Sequence, residues 1–192
     1  PKTVDEYLSH AEKYPALDPS GKLNSPVAHI HGVTGEPQTS PVSFALLLNL
    51  VSATNASDAQ TLWGFIGRYA SGDVTPQTHP YLDRLVGHAI AYYRDFVEPE
   101  KKYRTPTEAE RAALRDLDRA LADAPDGASA EELQTAIFSV GKAHAYENLR
   151  DWFKTIYEVL LGQSQGPRFG SFVELFGVEN TREIIAEALA RQ

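Results

Sequence analysis

The sequence predicts an all-α fold, and three observations carry that expectation. Helix-start signals recur along the chain, apolar residues repeat with a period near 3.6, and no stretch alternates with period two over a useful length. The expected architecture is a helical bundle of two subdomains, residues 1–100 and 105–192, with an irregular Pro/Gly/Ser-rich surface segment at 15–41.

Taken in order, Val27 to Gly32 inside that irregular segment is the only modest strand candidate. Ser40-Pro41 offers a hydroxyl cap followed by proline at the first helical position, where its missing N–H costs nothing. The run Ala45 to Val51 is apolar except for Asn49. Ser57 with Gln60 has the spacing of a capping box, in which the two side chains satisfy each other's backbone N–H groups. Trp63 follows, surrounded at helical spacing by Leu62, Phe65, Ile66 and Tyr69, which makes it a core residue first. Leu82, Leu85, Val86, Ala89, Ile90, Tyr93, Phe96 and Val97 then form one stripe, with Asp83, Arg84, His88, Arg94 and Asp95 mostly opposite.

A break at Glu98 to Thr105 marks the expected subdomain boundary. Beyond it, Thr105-Pro106 with Glu108, Ser129 with Glu132 and Asn180 with Glu183 have the spacing of helix starts. Leu114, Leu117 and Leu121 make a narrow stripe, and Trp152, Phe153, Ile156, Tyr157 and Leu160 a broad one. Gly162 ends that helix and Gly166-Pro167 begins another, whose Phe169, Phe172, Val173 and Phe176 fall at core spacing. Ile184, Ile185, Ala188 and Leu189 close the chain with an amphipathic helix.

Composition excludes several functions. With no cysteine there is no disulfide, thiolate metal site or cysteine nucleophile, and a reducing cytoplasmic setting is expected. No apolar run is long enough to cross a bilayer and none resembles a secretory signal, so a soluble domain is expected. Methionine is also absent and the chain opens on Pro1, which reads as a piece of a longer protein. The net charge of −8 disfavours indiscriminate polyanion binding, which needs clustered Lys and Arg. Residues 1–104 hold 9 Lys+Arg against 11 Asp+Glu, whereas residues 105–192 hold 9 against 15, so any nucleic-acid face must be local.

Catalytic motifs are missing. Gly162, Gly166 and Gly170 match neither the phosphate-loop nor the dinucleotide-loop pattern, and they follow a helix. There is no GxSxG and no HExxH, and the paired carboxylates lie on polar helix faces. His29 and His31 would share a face in an extended segment, but only Glu36 is near enough to help, so one buried and one solvated histidine is the better reading than a metal site. Arg168 stands off the Phe stripe at a helix entrance, where the dipole already favours anions. A cation there implies either an anionic partner or a neighbouring carboxylate. The basic cluster Lys101-Lys102-Tyr103-Arg104 can meet phosphates or be a solvated linker.

Two longer strings are more specific: PVSFALLLNLVSATNASDAQTLWGFIGRYA (41–70) and DWFKTIYEVLLGQSQGPRFGSFVELFGVENTREII (151–185). Together they resemble the C-terminal part of class I lysyl-tRNA synthetases, and VDEYLSHAEKYP, NSPVAHIHG and HPYLDRLVGHAIAYYRDFV look like the same family in the same order. YEVLLGQSQGPRFG alone is equally similar to the end of glutamyl-tRNA synthetases. The resemblance implies an α-helix cage that holds the anticodon arm of a lysine-accepting tRNA, in the cytoplasm, after a catalytic domain carrying HIGH and KMSKS. Neither signature is present. ATP and magnesium would therefore serve the parent enzyme, with no cofactor, metal, DNA, membrane or catalytic residue expected in this segment. The upstream catalytic domain would be its neighbour.

On chemistry and position, the candidate tRNA contacts are Arg168, Lys154, Arg68, Lys101, Lys102 and Arg104, with Tyr103 and Trp63 as stacking partners. The competing readings are a helical protein-interaction module, suited to the acidic surface, and a small metallo-hydrolase built on His29 and His31.

Overall fold

The computed structural model describes residues 2–32, 34–56, 58–70, 73–144, 146 and 148–191. Among these the regular structure is entirely helical, as expected. The helices are α1 (Lys2–Lys13), α2 (Pro19–Leu23), α3 (Pro26–His31), α4 (Phe44–Thr54), α5 (Ala59–Tyr69), α6 (Pro80–Tyr92), α7 (Glu108–Ala122), α8 (Ala130–Ala143), α9 (Leu149–Ile156), α10 (Phe169–Phe176) and α11 (Val178–Ala190). Two wide π-helical turns, Tyr93–Val97 and Tyr157–Leu161, extend α6 and α9.

Helix α4 is the central post. Leu46, Leu47, Leu48, Leu50 and Val51 are all buried, so apolar residues cover it on every side, as a helix must be when neighbours surround it. It packs on α1, α5, α6 and α10. Its N-terminus is capped twice: Ser43 accepts from Leu46 N at 3.2 Å, and Asp5 on α1 accepts from Phe44 N and Ala45 N at 2.6 and 3.0 Å. A carboxylate on those free N–H groups also meets the positive end of the helix dipole.

The expected stripes of α7, α9 and α10 are buried. Leu114, Leu117, Leu121, Trp152, Phe169, Phe172 and Val173 are inaccessible to solvent, and Phe176 nearly so. Trp152 donates its indole N–H to Ile137 O at 3.0 Å, so burying the ring strands no donor. One continuous core runs from Leu8 to Ala188, and a small satellite of Ala11, Tyr14, Val27 and Ala28 joins α1 to α3.

Several local expectations are corrected. Val27 to Gly32 is helical, because Ser25 caps α3 by accepting from Val27 N and Pro26 occupies the first turn. Ser40 does not start a helix; its hydroxyl closes a local turn with Val42, and the helix waits for Ser43. The capping box expected at Thr105 and Glu108 lies two residues on, at Thr107 and Glu110. Helix α11 starts at Val178, and Asn180, already inside it, donates to Phe176 O at 2.6 Å. The Ser129–Glu132 box forms as read. Ser57 lies outside the described residues; Asp58 caps α5 by accepting from Thr61 N at 2.9 Å.

Phe96 also departs from expectation. It continues the α6 stripe by count, yet it is 64% exposed. A π turn takes more residues per turn than an α-helix, so from Tyr93 onward the register rotates and Phe96 is carried off the buried face.

Candidate functional site

The three glycines of LLGQSQGPRFGSF have three different structural causes. Gly162 closes the second π turn with φ +67°, the left-handed conformation that L side chains resist. Gly166 lets the loop pass directly over Tyr157, where a methyl group would overlap the ring and stand 2.8 Å from Asn49 Nδ2. Gly170 lets α10 press against α8, and its N–H donates to Gln134 Oε1 at 2.7 Å. The Tyr157 hydroxyl donates to Pro167 O, and burial pushes that phenol's pKa well up, so it stays a proton donor.

This loop separates two adjoining grooves. One, of about 520 Å³, is lined by Phe96, Val97, Lys102, Glu158 and Gly162–Gln165. The other, of about 710 Å³, lies between α1, α4 and the loop and includes Asn49, Tyr92, Gln163 and Gly166. Val97, Gln163 and Gln165 border both, so the two form one trough. Both π turns contribute to its walls.

The segment after the first π turn is a strap along this trough rather than a solvated linker. Lys102 N donates to Gly162 O at 3.1 Å and Arg104 N to Glu158 O at 3.3 Å, which satisfies carbonyls that the second π turn leaves open. Arg104 grips Glu110 with two parallel bonds, 2.8 and 2.9 Å, and reaches Glu158 at 3.0 Å through Nε. Chiefly through Arg104, and helped by Thr107, the Glu110 carboxyl is held down to about 2, while the guanidinium is pushed up.

Lys101 is drawn inward. Its ammonium donates to Ser52 O (2.6 Å), Asn55 Oδ1 (3.0 Å) and the Tyr93 hydroxyl (3.3 Å). Burial lowers its pKa to about 8, and the neighbouring Tyr93 is raised to about 12, also by burial. Tyr103 is half-exposed, with the Lys101 ammonium 4.9 Å and the Arg191 guanidinium 4.2 Å from its ring centre.

The remaining candidates divide by what they touch. Lys154 pairs with Glu158 at 3.7 Å on the exposed side of α9. Arg68 folds back on its own helix, donating to Gly64 O and lying over Phe65, and it borders a different groove with Asp126, Glu174 and Glu179. Trp63 packs against the core and donates to Asp83 at 2.9 Å. Arg168 occupies the N-cap of α10, is exposed, and has no side-chain partner among the described residues. Lys102 is likewise exposed and unpaired among them.

Helical geometry parts the two histidines, since residues two apart on a helix face different directions. His29 is exposed, whereas His31 Nε2 shares a hydrogen bond of 2.8 Å with the Tyr7 hydroxyl. That hydroxyl also accepts from Gln38 N at 3.0 Å. Among the described residues no three His, Cys, Asp or Glu side chains converge as metal ligands.

Asn49 was visible in the sequence as the one polar residue in an apolar run, but its role was not. It is 2% exposed, yet its Nδ2 has no hydrogen-bond partner; the buried Nε2 of Gln163 across the same groove has none either. Each unsatisfied buried donor costs about 1–3 kcal/mol. Both residues line the groove, but the two nitrogens themselves are buried behind its surface, with Asn49 beside the Tyr157 phenol.

Comparison with known proteins gives a consistent picture. The chain is 45% identical over 191 residues to a lysine–tRNA ligase of Rickettsia akari, covering 98% of the chain and 36% of that protein. It is 44% identical over 187 residues to the lysine–tRNA ligases of Rickettsia conorii and Rickettsia felis. The chain thus spans about a third of the length of these relatives. No family model and no solved structure matches it.

Proposed function

We propose that this chain, homologous along nearly its whole length to about a third of lysine–tRNA ligases, is the C-terminal segment of a class I enzyme of that kind and grips the anticodon arm of a lysine-accepting tRNA. The observation that carries the reading is that match, 98% of the chain on 36% of the relative. The geometry supports it with an open trough between helices that Lys102 lines, and with Arg168 next in the chain after Pro167 on its other groove; no carboxylate among the described residues neutralises either cation.

Arg168 is the more telling cation, because at a helix N-terminus it faces the positive end of the dipole and gains nothing from its own fold. A phosphate placed there meets the guanidinium beside the positive end of the α10 dipole. Lys102 offers a point charge on the strap. Lys101 and Arg104 hold the strap in place, and Tyr103 presents one half-exposed ring beside them. ATP, magnesium and the aminoacyl-transfer chemistry belong, in this proposal, to the remaining two thirds of the ligase, and the setting is the cytoplasm.

Titrating fluorescent tRNA-Lys transcript into the protein tests this. Arg168→Ala and Lys102→Ala should each weaken binding several-fold and reduce the salt slope by roughly 0.7–0.9, the value expected for one phosphate contact. No binding at low salt, or slopes unchanged in both variants, would refute the proposal.

A protein partner is favoured by one observation, the exposure of Leu17, Leu23 and Ile30 at 37, 57 and 63% around α2 and α3. A partner captured equally with and without nuclease would support that alternative.

A further inference from the structure

We infer that Arg191 is a positioning residue for the RNA-facing strap: by clamping Tyr103 against the second π turn, it fixes where Lys102 presents its charge to the trough. The inference rests on the RNA-binding reading above and adds a residue that acts on the trough from outside it.

The clamp begins at Arg111 on α7. This side chain is only 14% exposed, and its ion-pair partner Glu108 stands 3.6 Å away and is 90% exposed, so that pair is weak. The guanidinium instead donates to Leu189 O and Arg191 O, carbonyls that the end of α11 leaves without intrahelical donors. It also meets the negative end of the helix dipole there. The backbone at Arg191 is extended, φ −67° and ψ 131°, so the helix ladder no longer carries it and Arg111 does.

From this anchored position the Arg191 guanidinium reaches two places. Nη1 donates to Val159 O at 2.6 Å, inside the second π turn, and Cζ lies 4.2 Å from the Tyr103 ring centre. The strap already donates to Glu158 O and Gly162 O through Arg104 N and Lys102 N. Three carbonyls in and just after one turn are therefore held by donors from two distant segments, and the Arg191–Tyr103 contact joins those segments. One guanidinium makes the cation–π contact and the charge-assisted hydrogen bond together only while Tyr103 stays against the turn.

Lys102 is the residue this fixes. On one side of it Lys101 is anchored to Ser52 O on α4, and on the other Tyr103 lies under Arg191. Its own side chain is exposed, unpaired among the described residues, and lines the trough. Arg191 is already engaged by Val159 and Tyr103, so it acts on RNA through Lys102 rather than by touching it.

Titrating tRNA-Lys transcript into variants of the protein tests this. Arg191→Ala should weaken binding several-fold and lower the salt slope by roughly 0.7–0.9, as loss of one phosphate contact does, and in a Lys102→Ala background it should change neither. Without RNA, amide hydrogen exchange at Lys102 and Arg104 should speed up in Arg191→Ala, because both N–H groups are bonded to the turn that Arg191 holds. Arg191→Lys keeps a cation for the ring and should restore part of the affinity. Unchanged affinity or unchanged exchange in Arg191→Ala overturns the positioning role and leaves the RNA-binding reading standing. So does an equal loss in both backgrounds, which a direct phosphate contact would give. Failure of the unsubstituted protein to bind tRNA overturns both.

Discussion

Replacing Arg104 by Met gives the sharpest test of how the trough is built. Arg104 is 37% exposed, but its partners Glu110 and Glu158 are only 15 and 25% exposed, so the pairs lie between a surface ion pair, worth about 0–1 kcal/mol, and a buried one, whose breaking costs about 3–5. The loss should be about 2 kcal/mol, which for a chain of this length lowers Tm by roughly 4–8 °C. The pH dependence separates this account from simple loss of packing. Glu110 is held at about 2 in the folded protein against an ordinary 4.5. Its contribution is therefore fully present above pH 4.5 and fades as pH falls toward 2, because the unfolded chain takes up the proton first. Urea unfolding at pH 6 and at pH 3 should show a large gap between wild type and Arg104→Met at pH 6 and a much smaller one at pH 3. Arg104→Met/Glu110→Met should recover part of the loss. An equal gap at both pH values, or a Tm shift below about 1 °C, would refute the reasoning and return Arg104 to the set of free cations.

Three further outcomes follow from the same geometry. Gly162→Ala should cost about 1–2 kcal/mol, since its φ of +67° is unfavourable for alanine and the new methyl stands 2.8 Å from Lys101 Cγ; chemical denaturation measures it, and an unchanged midpoint would contradict the left-handed cap. Lys101, depressed to about 8, holds fewer protons folded than unfolded between pH 8 and 10, so stability should rise over that window and the rise should vanish in Lys101→Met. Lys154→Ala should change tRNA affinity less than Arg168→Ala, because Lys154 is already paired with Glu158, and the reverse order in a binding titration would move the RNA face to α9.

Most helices were legible because their buried stripes are. Leu114, Leu117 and Leu121, or Phe169, Phe172 and Val173, repeat at a spacing that only one secondary structure buries. Helix starts were less so. Several hydroxyl or amide residues stand near each start, and tertiary partners choose among them: Asp5, from 39 residues away, helps fix α4 at Phe44. The α3 helix was hidden by its length, six residues being too few for a periodic signal. At the site, Arg168 was readable as a cation at a helix entrance. The roles of Lys101 and Arg104 were not, since their acceptors, Ser52, Glu110 and Glu158, come from other elements.

The wide turns explain why a trough exists at this place. An uninterrupted α6 would keep Phe96 on the buried face, and an uninterrupted α9 would carry its helix past Gly162. Each π turn instead rotates the chain, and the strap from Lys101 to Arg104 satisfies Glu158 O and Gly162 O at the second one while Lys101 reaches Ser52 O on α4. The basic cluster is thus half consumed in closing the fold. Lys101 and Arg104 are the consumed half, and Lys102 and Tyr103 remain at the surface. With a net charge of −8 and few free cations at the rim, long-range attraction to a polyanion is weak. Under the proposed function, affinity then has to come from contacts made once the RNA is seated. A trough walled by Tyr92 and the exposed ring of Phe96 supplies contacts of that kind, and the few cations beside it predict binding whose salt dependence is shallow.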